Sequence, residues 1–202
     1  LMYPSVESFP GAYILATGLI YRGESGMEVF DAIRARRSVR GYSSTPVPTD
    51  KLDRILESGR LAPSAMNLQP WHFIIVQDAG KREEMSKARY AKFLKESPVG
   101  IVGCGDKKSS PRWFVIDTTI ALQNMVLTAT SEGLGTCWIG SFDENMIRKL
   151  LKIPEHLAIV ALLAVGYPRK KLDLAATIIK SGSRRPVEEI VSVEEYGAKD
   201  ER

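Results

Sequence analysis

Hydrophobic and polar residues alternate along the chain in a pattern that predicts a succession of helices and strands. Three long apolar runs are typical of buried strands: "WHFIIVQD" (71–78), "PVGIVGCGD" (98–106) and "HLAIVALLAVGYP" (156–168). A shorter strand is predicted for "TCWIGSF" (136–142). Helices and strands do not follow one another in regular strand–helix–strand units. We therefore predict one α+β domain with a central, mainly antiparallel sheet between helical layers.

Helical periodicity marks four shorter segments. The first covers 27–37, with Met27, Phe30, Ala32 and Ile33 on one side. The others are 49–62, a charged amphipathic stretch at 80–97 that reads as one helix or a helix pair, and 143–154.

One further helix, predicted within 111–135, is apolar almost all round. Ile116, Ile120 and Leu127 lie on one side, and further apolar residues cover much of the rest. A helix with this pattern is buried. In a chain of 202 residues, we expect part of this cover to come from a second subunit.

Composition narrows the class of protein. The net charge is +4, and Lys and Arg are scattered among acidic residues, which does not favour nucleic acid as a partner. No apolar run is long enough to cross a bilayer, so no membrane partner is expected.

Cysteine and histidine are scarce. Cys104 and Cys137 lie in apolar surroundings without a CxxC motif, and His72 and His156 are the only histidines. A metal site or a Cys/His nucleophile pair therefore lacks its parts. We expect two buried thiols in a reducing, cytoplasmic protein, and the sequence leaves the role of Cys137 open.

The first 26 residues differ from the rest. They contain "AYILATGLIY", which resembles a short signal core but lacks a basic segment before it and a small-residue cleavage site after it. We predict that Met27 is the physiological start, that 1–26 is an extension, and that 27–202 forms a single domain.

A cluster of basic residues follows the first helix, and standard nucleotide-binding loops are missing. Basic residues at the end of a helix can simply complement its negative pole. Guanidinium groups this close together also favour an anion between them, because their planar forks match phosphate oxygens. A second basic pair near the end of the chain would clamp the same anion. The residues are Arg36, Arg37, Ser38 and Arg40, with Arg184 and Arg185 as the second pair.

The segment "LAPSAMNLQPWHFIIV" (61–76) is rich in amides and stiffened by Pro63 and Pro70. Asn67 and Gln69 each offer a donor and an acceptor, as reading the edge of a polar ring requires. Farther on, Gly140 in "GLGTCWIGSF" would let the backbone approach a planar ligand.

In their order along the chain, four segments resemble the FMN-dependent nitroreductase family, also called the nitro/flavin reductase superfamily. They are "RRSVRGY", "APSAMNLQPWHF", "ALQNMVLTA" followed by "GLGTCWIG", and "GYP…RRPVEEIV". The resemblance covers Met27 to about Tyr196. It implies an intertwined homodimer with FMN at the subunit interface and with each site built from both chains.

The resemblance also assigns residues to the cofactor. Those implied at the phosphate and ribityl are Arg36, Arg37, Ser38, Arg40, Arg184 and Arg185. Those implied in the loop that reaches the flavin from the partner subunit are Pro63, Ser64, Asn67 and Gln69. Ile139 and Gly140 resemble the backbone that faces the ring.

The implied activity is NAD(P)H oxidoreduction by hydride transfer through flavin N5. A small-molecule acceptor such as a nitroaromatic or a quinone then uses the same face, which predicts ping-pong kinetics. No side chain is assigned as a catalytic nucleophile or acid, and no metal is expected. The alternatives are NADH oxidase, flavin reductase or other flavin chemistry of the family, or a flavin-binding module without turnover. The choice between NADH and NADPH stays open.

Overall fold

A computed structural model describes Ala12–Ile14, Ile20–Arg22, and residues 27–88, 90–169 and 184–198. Its central feature is a four-stranded sheet in the order β3-β4-β6-β5, in which all neighbouring strands are antiparallel. The strands of this sheet are β3 (Trp71–Val76), β4 (Val99–Asp106), β5 (Gly135–Ile139) and β6 (Leu157–Gly166). The short strands β1 (Ala12–Ile14) and β2 (Ile20–Arg22) pair separately with each other.

Five α-helices accompany the sheet in the described part of the chain. They are α1 (Val29–Ala35), α2 (Thr49–Arg60), α3 (Ala79–Met85), α4 (Phe114–Ser131) and α5 (Glu144–Leu151). Short 3₁₀ turns occur at Ala65–Asn67, Lys92–Lys95 and Val187–Glu189.

Each face of the sheet carries its own hydrophobic core. On one face, α2 and α4 pack over the sheet through residues such as Ile55, Met125 and Leu163. On the other face, α3 and α5 contribute Met85 and Ile147. The prediction of an antiparallel sheet between helical layers is therefore confirmed.

The strand register defines two ends of the sheet. At the lower end, β3 begins at Trp71 opposite Gly105. At the upper end, β5 and β4 begin and β6 ends, because Val165 of β6 pairs with Thr136 of β5 on one side and with Val99 of β4 on the other. Strand β5 is short and stops near the middle of the sheet. These two ends decide where the predicted site residues lie.

The apolar side predicted for the first helix is only partly buried. Ala32 is its buried residue, whereas Phe30 and Ile33 are 62% and 50% exposed. Helix α1 contacts α4, and its larger apolar side chains stay exposed in the single chain. The charged stretch at 80–97 does form a pair, α3 and the 3₁₀ turn Lys92–Lys95.

Strand β3 is less buried than its apolar sequence predicts. It is an outer strand of the four, with Val76 as its buried residue and His72 exposed. Strands β4 and β6 lie inside the sheet and are buried along most of their length, as predicted. An outer strand has a neighbour on one side only, which leaves its side chains more accessible.

Two further predictions concern the N-terminal extension and membrane-spanning segments. Most of the predicted extension 1–26 lies outside the described residues, which include only β1 and β2 from this part of the chain. None of the described helices combines the length and the hydropathy that crossing a bilayer requires.

Candidate functional site

The arginine segment, residues 36–42, is fixed against the upper end of the sheet. Ser38 forms a bridge with Thr136 at the start of β5, and the Val39 amide donates to the Thr136 carbonyl at 2.9 Å. The Tyr42 ring is buried, and its hydroxyl donates to the Val39 carbonyl at 2.6 Å. The backbone of this segment is therefore held by the sheet and by a buried side chain.

The basic side chains of the segment have different surroundings. Arg36 and Arg40 are half-buried, as is Ser38 between them. Arg37 is exposed, and its Nη1 donates to the backbone carbonyls of Arg34 and Arg36 at the end of α1. Arg37 therefore interacts with the carbonyl end of α1. This was the alternative interpretation of a basic cluster at the end of a helix.

The electrostatics of Tyr42 connect the segment with the core. Burial raises the pKa of the Tyr42 hydroxyl well above its usual value of 10.0, and the Cys137 thiol raises it further. The Arg40 guanidinium lowers the same pKa, so it lies close enough to act on the hydroxyl. Tyr42 is consequently neutral at physiological pH and serves as an anchor.

The amide loop, residues 63–70, precedes β3 at the lower end of the sheet. Three of its residues other than glycine have positive φ: Met66 at 51°, Asn67 at 55° and Gln69 at 48°. Such conformations are uncommon and require support from neighbouring groups. Ser64 supplies part of it, because its Oγ accepts from the Gln69 amide at 2.9 Å. The Asn67 and Gln69 side chains also bond to each other, with Nε2 donating to Oδ1 at 3.1 Å.

A residue that the sequence analysis missed supports the same loop. Asp117 on α4 is 3% exposed, and its Oδ1 accepts from the Ala65 amide at 3.2 Å. Its Oδ2 is buried without a hydrogen-bond partner among the described residues. The available signal was a single carboxylate in the otherwise uncharged helix Phe114–Ser131.

The backbone at the end of β5 is open on one side. Ile139 is buried, whereas Gly140 is exposed, and a Cβ placed on Gly140 would meet no atom within 4 Å. Packing within the described residues therefore gives no reason for glycine here. By contrast, Gly133 has φ of 76° at the end of α4 and is explained by its conformation.

The arginine segment and the amide loop lie at opposite corners of the sheet. The first lies beside the start of β5, and the second leads into β3, the outer strand on the other side. Standard strand dimensions place the two roughly 25 Å apart. One protomer therefore does not bring the two groups of predicted site residues together.

The second basic pair lies in the described C-terminal stretch. Arg185 forms an ion pair with Glu189 at 3.2 Å, and Arg184 is exposed. Their convergence on the arginine segment stays a prediction.

Large apolar side chains are exposed on α1, at the end of α2 and on α4. We call this set the α1–α4 surface, and its members are Val29, Phe30, Ile33, Leu61, Val115 and Ile116. Exposed apolar residues of this size are candidates for an interaction surface.

Sequence and structural similarity relate this chain to known proteins. A model of the Nitroreductase family matches residues 33–102 and 85–167. This chain belongs to the nitroreductase family. A Methanothermobacter thermautotrophicus protein with the provisional name NADH dehydrogenase/NAD(P)H nitroreductase is 38% identical over 151 residues, which cover 71% of this chain and 79% of the relative.

Other members of the nitroreductase family extend the comparison. The FMN reductase [NAD(P)H] of Bacillus subtilis is 29% identical over 164 residues, covering 70% of this chain and 66% of that protein. A structure of an FMN-dependent nitroreductase from Clostridium difficile superposes with a TM-score of 0.66 at 30% identity, covering 76% of this chain and 98% of that one. The α+β fold with an antiparallel sheet is thus that of the nitroreductase family.

In the described part of this nitroreductase-family chain, potential metal ligands are dispersed and the thiols are buried. Its described residues contain no group of three or more potential ligands arranged for a metal ion. Both cysteines are buried thiols. Burial raises the pKa of the Cys104 thiol to about 11, so this group is protonated at neutral pH and is a poor nucleophile.

Proposed function

We propose that this chain is an FMN-dependent NAD(P)H oxidoreductase that works as a homodimer, with each flavin held between two subunits. Its relatives include proteins named for FMN and NAD(P)H. The physiological acceptor would be a nitroaromatic, a quinone or a related small molecule, and residues 27–202 would form the whole catalytic domain.

The residues present suit an FMN molecule. Arg36, Ser38 and Arg40 offer cationic and hydroxyl donors for its phosphate and ribityl on a backbone that the sheet holds rigid. The open backbone at Gly140 leaves room for the flat ring. Asn67 and Gln69 supply amide groups suited to the ring edge. Arg184 and Arg185 would complete the phosphate site.

The observation that carries the proposal is the separation of the two site halves. The arginine segment and the amide loop are too far apart in one protomer to hold the same mononucleotide, whereas a second copy can bring its own loop to the arginine segment. The α1–α4 surface supplies apolar side chains for such a contact. It includes Ile116 on α4, the helix for which cover by a second subunit was predicted.

The chemistry divides between cofactor and protein. FMN, when bound, accepts a hydride from NADH or NADPH and passes electrons to the acceptor. The protein binds and orients the ring, and its backbone and amide donors stabilise negative charge at the ring edge. No nucleophilic side chain is required, in agreement with the buried, protonated Cys104.

A spectroscopic experiment tests this function. The purified protein should be yellow, lose its flavin absorbance when NADH or NADPH is added without air, and regain it on addition of a nitroaromatic or a quinone. Stopped-flow reoxidation with a panel of acceptors then ranks the substrates. Bound FMN that neither nicotinamide bleaches would favour a flavin-binding module, and a protein unable to bind FMN would contradict the proposal.

A further inference from the structure

A cavity lies at the upper end of the sheet, where β3 ends and β4 begins. Its volume is about 810 Å³, within the range of small-molecule sites. Val47 and Val99 contribute buried apolar groups to its wall, and Ser43 and Ser44 contribute hydroxyls. Tyr42 also lines the cavity, which therefore adjoins the arginine segment, but none of the lining residues was assigned to FMN.

The cavity contains a nearly buried guanidinium. Arg82 on α3 is 8% exposed, and its Nη1 donates to the Gln77 carbonyl. Its Nε is buried and has no hydrogen-bond partner among the described residues. Burial lowers the pKa of Arg82, and the Asp78 carboxylate only partly offsets this effect. A nearly buried cation with an unpaired donor and only partial compensation from a carboxylate is costly, so an anion in the cavity would stabilise it.

Two further cations and one carboxylate line the same cavity. Lys95 is exposed at its wall, and Arg169 forms an ion pair with Glu96 at 2.6 Å. Three cations thus face a single lining carboxylate. The Asp78 carboxylate lies close enough to act on Arg82 but caps α3, where its Oδ1 accepts from the Lys81 amide at 2.8 Å. The surplus of positive charge favours an anionic ligand.

The kinds of donor favour phosphate. A guanidinium fork, an ammonium group and two hydroxyls reach the cavity from separate elements, and a tetrahedral oxyanion accepts hydrogen bonds from several directions at once. A planar carboxylate has two oxygens in one plane and would leave some of these donors unused.

We propose that this cavity binds a small molecule through a phosphate group, with Arg82 at its base and Lys95 at its wall. The apolar side chains beside these cations would contact the rest of the ligand. None of its lining residues was assigned to FMN, although one of them, Tyr42, also anchors the arginine segment. The cavity therefore adjoins the proposed flavin site, and the proposal does not depend on FMN binding.

Calorimetric titration of the full-length protein, saturated with FMN and in a phosphate-free buffer, tests the site. The probes are inorganic phosphate, AMP and succinate, and flavin fluorescence is recorded in parallel to detect release of FMN. We expect saturable binding of phosphate and AMP at one site per chain, weaker binding of succinate, and no release of FMN. If the purified protein binds no FMN, the same titration still tests the cavity.

Paired variants connect binding with the cavity. Lys95→Met should weaken AMP binding roughly tenfold or more, because a charged hydrogen bond is lost. Lys92→Met, a matched change on the same 3₁₀ turn, should have no effect, since Lys92 does not line the cavity. Glu96→Gln should tighten binding by removing the carboxylate. Arg82→Gln should abolish AMP binding. If the Arg82→Gln protein fails to fold, the comparison of Lys95→Met with Lys92→Met still tests the site.

Several results would overturn the proposal. They are the absence of saturable binding, displacement of FMN by the probes, equal effects of Lys92→Met and Lys95→Met, and tighter binding of succinate than of phosphate.

Discussion

The arginine segment and the amide loop, the two halves of the proposed site, are held in place by different means. The arginine segment has its backbone bonded to β5 and anchored by buried Tyr42, while Arg36 and Arg40 stay partly accessible. The amide loop has an irregular backbone, and side chains such as Ser64 and Asp117 support it.

This difference separates two kinds of recognition. A rigid backbone that presents flexible cations suits a phosphate, whose charge attracts them from several directions. A loop with a fixed, uncommon conformation suits a ring edge, where the positions of individual donors and acceptors decide the fit. Variants of the two regions should therefore fail in different ways.

The largest effect is expected from a charge in the α1–α4 surface. Ile116→Glu should dissociate the dimer and weaken FMN binding by more than roughly 100-fold, because burying a carboxylate at an interface costs several kcal/mol. Light scattering and flavin fluorescence measure the two effects. Lys149→Glu, at an exposed position of α5 in the opposite helical layer, is the control. A dimeric Ile116→Glu protein with normal FMN affinity would show that the two halves meet elsewhere.

Removing one cation should have the next largest effect. Arg36→Ala is expected to weaken FMN binding by about 1.5–3 kcal/mol, the scale of a charged hydrogen bond. Arg37→Ala should have a smaller effect, because the Arg37 guanidinium already bonds two backbone carbonyls. Fluorescence titration compares the variants, and an equal loss in both would contradict the ranking.

The support of the amide loop predicts a smaller loss. Asp117→Ala should weaken FMN binding by about 1 kcal/mol, because the Ala65 amide loses its acceptor and the loop relaxes. Asp117→Asn keeps an oxygen at that position and should restore most of the affinity. If alanine and asparagine both bind FMN like the wild type, the loop does not depend on this contact.

The anchor of the arginine segment predicts an effect that is largest in alkali. The pKa of Tyr42 is raised in the folded protein, so above about pH 10 the unfolded chain loses a proton that the folded protein retains. The free energy of unfolding should therefore fall as the pH rises through this range. In Tyr42→Phe the fall should be shallower, as measured by urea unfolding between pH 8 and pH 11. Identical slopes would argue against a buried hydroxyl.

The sequence predicts the arginine segment better than the amide loop. Arg36, Ser38 and Arg40 cluster within a few residues, so their charge is visible locally. The loop depends on Asp117, which lies on another element far along the chain, and on positive φ at Met66 and Asn67. A conformation fixed by distant contacts leaves little local signal.

The fold shows the same division. The inner strands β4 and β6 are apolar and buried, and both were predicted from pattern alone. Strand β3 is also apolar but only partly buried, and the side chains of Phe30 and Ile33 are exposed in the single chain. An apolar sequence pattern predicts that a surface will be buried, but it does not predict whether the same chain or a second subunit buries it.

Complementation between two defective subunits tests the shared site most directly. Co-expression of Arg36→Ala and Asn67→Gly chains with different tags allows the mixed dimer to be purified, and glycine keeps the positive φ at position 67. If each site combines arginines from one subunit with the loop of the other, the mixed dimer contains one intact site and binds one FMN with wild-type affinity. A mixed dimer without any wild-type FMN site would show that both halves come from the same chain.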